Sequence, residues 1–200
     1  MNDITLDGVA SLNGGEYKKV KVNGVGTCQG KLKAQIVDVD GVFTCHGSLD
    51  TGMLDCDGVA TFHAPVKAGK IDVSGTLTVK GSKIEASEIY CDGLIKVAGE
   101  LSADIIEADG CIHAKEVVGD NIRIRSRISR IVNFFSGHSN IDLIEATDIN
   151  LRGVYATSVN GKNIRIGPKC KIDTVDCSGH LSIHPNASVG TITGNYTKDQ

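Results

Sequence analysis

The chain has 200 residues, among them 24 glycines and 3 prolines, with no tryptophan, 4% aromatic residues and a formal net charge of −3. That balance gives no general attraction to nucleic acid, and no apolar run reaches the roughly 18 residues that a membrane-spanning helix needs. The polar start MNDITLDG has neither the basic nor the apolar segment of a signal peptide, so the expected location is cytoplasmic.

The first unit holds Ile4, Leu6, Gly8, Ala10, Leu12 and Gly14, and its pattern returns 16 residues later at Gly24. Glycine then recurs as Gly24, Gly41, Gly58, Gly75, Gly93 and Gly110, in steps of 17, 17, 17, 18 and 17. A second row, Gly30, Gly47, Ala64, Gly81 and Gly99, runs six residues behind the first. A fixed period with two chain corners per repeat predicts a solenoid in which each repeat is one coil of a β-helix. Glycine at these corners fits a need for positive φ.

Apolar residues keep a period of two between the corners. Four places before each glycine stand Val20, Val37, Leu54, Ile71, Ile89 and Ile106; two before stand Val22, Val39, Cys56, Val73, Cys91 and Ala108. Two after are Gly26, Phe43, Ala60, Leu77, Ile95 and Ile112, and four after are Cys28, Cys45, Phe62, Val79, Val97 and Ala114. A third inward pair, such as Leu32 with Ala34 or Leu101 with Ala103, completes three strands per coil. One residue inserted near Lys83 accounts for the single step of 18.

Further along, Ile122, Ile124 and Ile128 keep a coil, but residues 129–140 (SRIVNFFSGHSN) do not fit before Ile141 and Ile144 restart the alternation. This segment reads as an excursion from the helix, and Arg127, Arg130, Phe134 and Phe135 form its candidate partner surface. At the far end residues 163–175 and 180–192 match at a shift of 17. The expected architecture is all-β: a single-stranded parallel β-helix of about eleven coils of mostly 17 residues, one domain over 1–200 with the excursion at about 129–140. At about 4.8 Å per coil the rod is roughly 50 Å long.

Chemistry-bearing residues fall largely on structural positions. Cys28, Cys45, Cys56, Cys91, Cys170 and Cys177 occupy inward places, with Cys111 outward, so they read as core packing. His46 and His63 lie one coil apart on an outward row without a third ligand, and no metal is assigned. Asp38 and Asp40, Asp55 and Asp57, Asp72, Asp92, Glu107 and Asp109 stack on one face, joined by Arg123 and Arg125, with Glu145 expected on their far side. That face is an ion-pair ladder or a lateral surface for calcium or another rod. Beside it runs an outward row of Val25, Val42, Val59, Thr76, Leu94 and Cys111.

The Asp column lies on a flat, open strand face with nothing to exclude water, and the single excursion builds no catalytic groove. Left-handed acyltransferase helices use 18-residue coils of three near-identical hexads, unlike this chain. The reading is therefore not an enzyme, with no catalytic residue, cofactor or metal. A solenoid whose inward pattern runs to both ends exposes unpaired backbone and apolar core there, so its end coils are expected to stack on further copies. Ile4, Leu6, Ala10 and Leu12 at one end, and Leu181, Ile183, Val189 and Ile192 at the other, form the expected polymer interface.

The coils VDVDGVFTCHG (37–47) and IYCDGLIKVAG (89–99) resemble those of bactofilins, the bacterial polymer-forming cytoskeletal proteins. The resemblance implies a right-handed β-helix that assembles end to end into filaments without nucleotide and scaffolds envelope or cell-shape proteins. Localisation would be cytoplasmic, at or near the inner face of the membrane, with membrane association left open. The alternative is a monomeric or dimeric β-helical protein-binding module of the cell envelope.

Overall fold

A computed structural model describes residues 1–126 and 137–198. The described chain is all-β without helix, its parallel strands stacked into a solenoid of about eleven turns with about 17 residues per turn. Strand pairing is parallel throughout and follows the repeat: Val37 pairs with Val20 and Leu54, and Phe43 with Gly26 and Ala60. The extra residue lies between Val79 and Ile84, because Phe62 pairs with Val79 at a step of 17 whereas Val66 pairs with Ile84 at a step of 18.

Each early coil contains a long strand such as Leu32–Val39 and a short one such as Val42–Cys45. The expected third strand is joined to the first: the chain bends at Gln35–Ile36 without ending the strand, and pairing lapses only at Gln35 opposite Gly52. In later coils the strands merge further, as Cys111–Arg125 and Ser139–Arg152 run as single strands of 15 and 14 residues that turn where pairing lapses, at Lys115 opposite Asp142 and Asp120 opposite Thr147.

The inward residues form one continuous core. Val20, Val37, Leu54, Ile71, Ile89 and Ile106 are buried, as are Phe43, Ala60, Leu77, Ile95 and Ile112 on the neighbouring column. Burying each such aliphatic side chain is worth about 1.5–3 kcal/mol, which offsets the entropy of ordering a thin rod. Volumes compensate between coils: a methyl on inward Gly26 would press on Leu6, Phe43 and Val22, so the glycine makes room for the Phe43 ring. Phe43 in turn meets Phe62 edge to face at 6.0 Å.

The corner glycines serve a different purpose from the expected one. Gly24, Gly41, Gly58, Gly75, Gly93 and Gly110 are absent from the positive-φ positions, which among the described residues are Gly8, Gly14, Gly15, Gly153, Gly194 and Lys169. A Cβ on Gly58 would instead fall on the carbonyl oxygen of Gly41, and one on Gly75 on that of Gly58. The cause is an axial hydrogen-bond chain: Val59 N–H donates to Gly41 O at 2.9 Å and Thr76 N–H to Gly58 O at 2.8 Å. Each bond draws the next glycine Cα onto the oxygen below, leaving no space for a side chain.

The excursion begins and ends on two buried serines. Ser126 N–H donates to Arg152 O at 2.9 Å, and Ser139 N–H to Gly153 O at 3.2 Å. Their hydroxyls meet at 2.8 Å, while Ile112 N–H donates to Ser139 Oγ at 3.0 Å. Pairing of Asn140 with His113 and of Ile141 with Ala114 shows that the strand resumes at Ser139, so residues 139 and 140 belong to the coil and not to the excursion. Arg127, Arg130, Phe134 and Phe135 lie outside the described residues.

Candidate assembly surfaces

One column of outward residues, read by strand register, runs Lys21, Asp38, Asp55, Asp72, Tyr90, Glu107, Arg123, Asn150, Arg165 and Ser182. Beside it, one residue past the inward neighbour, stand Asp40, Asp57, Ser74, Asp92, Asp109, Arg125 and Arg152. The flank is acidic in its first half and basic in its second.

The two ends of the acidic run are internally paired. Lys19 reaches Asp38 at 2.8 Å, and Lys21 reaches Asp40 at 2.8 Å and Asp38 at 3.3 Å. Burial works against ionisation of Asp38, but Lys19 and Lys21 together hold its carboxyl below the usual range. Arg123 lies 3.8 Å from Glu107 and Arg125 2.8 Å from Asp109. The middle of the acidic run has no such partner among the described residues: desolvation, then Asp57, Asp72, Asp38 and Asp40, push the Asp55 carboxyl up. At the basic end no carboxylate among the described residues lies within 4.0 Å of Arg152 or Arg165.

Between this column and the next lies a shallow groove of about 450 Å³, rimmed by Arg123, Asn150 and Arg165 on one side and Asn121, Asp148 and Asn163 on the other. Asn163 Nδ2 donates to Asp148 Oδ1 at 2.7 Å, which fixes the far wall. Arg152 and Arg165 escaped the sequence reading because the excursion breaks the repeat count ahead of them; their period relative to Arg125 and Asn150 becomes visible only in the register. Glu145 is not on this face. It pairs with Val118 and Asn160, because the bend of Ser139–Arg152 separates it from the Arg123 column.

The Val and Thr row lies on the short strands. Val9, Val25, Val42 and Val59 are 88%, 46%, 43% and 44% exposed, but Leu94, expected outward, is only 7% exposed. Cys111 is half-buried, and the other six cysteines are buried and unpaired. Cys28 and Cys45 stack in register, each donating its thiol to a corner carbonyl, Gly30 and Gly47, at 3.3 Å. Contact with Cys28, then burial, pushes the Cys45 thiol far up. The His46 and His63 rings stand 4.7 Å apart. Among the described residues no group of three His, Cys, Asp or Glu side chains is placed to hold a metal.

At the first end Leu6 and Leu12 are buried, while Ile4 and Ala10 are partly exposed against the core. At the other, Ile183, Val189 and Ile192 are partly exposed, whereas Leu181 is fully buried because Lys198 and Ile164 flank it on both sides. Leu181 therefore lies one layer inside the end face. Among the described residues the first strands, Ile4–Leu6 and Val9–Leu12, pair on one edge only, and so do Ser188–Thr193 and Thr197–Lys198.

No family model matches the chain, and no solved structure matches it. Over 52 residues it is 44% identical to the Bacillus subtilis (strain 168) protein described as "Uncharacterized protein YhbE". That match covers 26% of this chain and 22% of the relative.

Proposed function

We propose that this protein is a non-enzymatic cytoskeletal scaffold of the bacterial cytoplasm that assembles end to end into filaments without nucleotide. The observation that carries this reading is the pair of end coils, each with one strand edge that has no partner among the described residues and with core residues left partly exposed: Ile4 and Ala10 at one end, Val189 and Ile192 at the other. Parallel edges of this kind are satisfied by another strand of the same spacing, and a second copy supplies one together with a matching apolar layer. The likeness of the Gly-punctuated coils to bactofilins supports the same reading and extends it to envelope or cell-shape proteins as clients.

Negative-stain electron microscopy of the purified protein without nucleotide tests it. Filaments a few nanometres wide are the expected result. Uniform short rods at all concentrations would favour a protein-binding module instead.

A further inference from the structure

Two charge columns on the same rod are built in opposite ways. Glu16, Lys33, Asp50, Lys67 and Glu85 alternate in sign from coil to coil, and pairs such as Lys67 with Glu85 at 2.9 Å close within the chain. The column from Asp38 to Arg165 does not alternate. Asp38, Asp55 and Asp72 follow one another, then Arg123, Asn150 and Arg165 line a groove further along the same face. Like charges on adjacent strands repel; Lys19 and Lys21 offset Asp38 and Glu107 offsets Arg123, but Asp55, Asp57 and Asp72 in one half and Arg152 and Arg165 in the other have no ion pair among the described residues, which leaves attraction available to a second molecule.

We propose that two copies of this chain pair side by side and antiparallel, the Asp38, Asp55 and Asp72 column of each set against the Arg123, Asn150 and Arg165 rim of the other's groove. The two-fold axis runs along the strand direction between the coils of Tyr90 and Glu107. Rotation about it keeps each column opposite itself and inverts the coil order. Asp72 then faces Arg123, Asp55 faces Asn150 and Asp38 faces Arg165; in the neighbouring column Asp57 faces Arg152, and next to the axis Asp92 faces Asp109, whose charge Arg125 offsets. Both partners share the strand spacing of about 4.8 Å, so every pair comes into register when one does. Each pairing occurs twice, as in any isologous contact. The Asn150 amide donates to Asp55, the carboxylate at the unpaired middle of the acidic run, and Arg152, Arg123 and Arg165 supply the opposing charge.

This surface is separate from the end coils, so pairing is measured as a doubling of mass whether or not filaments form: mass per unit length for filaments, molar mass for free rods. Wild-type protein is expected to show the doubled value near 0.01 M salt and the single value near 1 M, where the screening length falls from about 30 to 3 Å. Asp57→Arg or Arg152→Asp alone is expected to abolish doubling at low salt, and the two together to restore it. Asp72→Arg with Arg123→Asp provides a second, independent swap. Restoration is specific to this antiparallel register, because a parallel pair would set each substituted position against its own copy, like charge against like. A single mass at low salt for wild type, or doubling indifferent to salt and to both reversals, overturns the proposal.

Discussion

Arg125 grips Asp109 with two parallel hydrogen bonds, Nε to Oδ1 at 2.8 Å and Nη2 to Oδ2 at 3.1 Å, at the coil where the flank turns from acidic to basic. The planar fork matches the carboxylate, which makes this the best-formed ion pair on the rod. Arg125→Ala is expected to cost about 1 kcal/mol, and Arg125→Glu more, since it sets a third carboxylate against Asp92 and Asp109. Urea unfolding at low and high salt checks both, and the difference between the variants should shrink with salt.

The corner glycines make a sharper prediction. Gly58→Ala drives a methyl into the Gly41 carbonyl and is expected to cost about 3 kcal/mol or more, because the obstacle is backbone held by the axial hydrogen bond. Gly8→Ala meets open space but has φ +65°, so about 1 kcal/mol is expected. Thermal melts of the two variants should separate widely; equal shifts would mean that conformation and not close approach governs the corners.

Asp55 sets a pH dependence of definite sign. Its carboxyl is raised by desolvation and by the surrounding aspartates, so its ionisation opposes folding: stability is lost as pH rises through the carboxylate range and regained as pH falls. Asp55→Asn is expected to stabilise the rod by a few tenths of a kcal/mol near neutrality, given solvent screening of an exposed face, and to have no effect once the carboxyl is protonated in both states. Denaturation midpoints at neutral and acid pH measure this.

Thiol chemistry should follow burial. Cys28, Cys45, Cys56, Cys91, Cys170 and Cys177 are buried, and burial pushes the thiols of Cys56 and Cys91 each up to about 12. Ellman's reagent is expected to modify Cys111 alone, slowly, in the folded protein and all 7 cysteines after unfolding. Rapid reaction of more than one thiol under native conditions would mean that the coils open.

If the ends stack as proposed, Leu12→Lys or Ile192→Lys should abolish filaments while retaining β-type circular dichroism. Leu12 is 7% exposed, so its replacement also weakens the first coil; Ile192, only partly buried, gives the cleaner result. Filaments unchanged by Ile192→Lys would count against end-coil stacking.

Local pattern alone determined the solenoid, its repeat and nearly every inward residue from Val20 to Ala108, because strand alternation and corner spacing are properties of successive residues. The charged face was legible as far as Arg125 for the same reason. Register beyond the excursion was not: Asn150, Arg152 and Arg165 join the Asp column only because hydrogen bonds between coils realign the chain after an insertion whose length carries no positional information. The purpose of the corner glycines, the Ser126 to Ser139 contact, and the burial of Leu94 were likewise decided in three dimensions. Each depends on how closely one coil approaches another, a distance that the periodicity of a single coil does not contain.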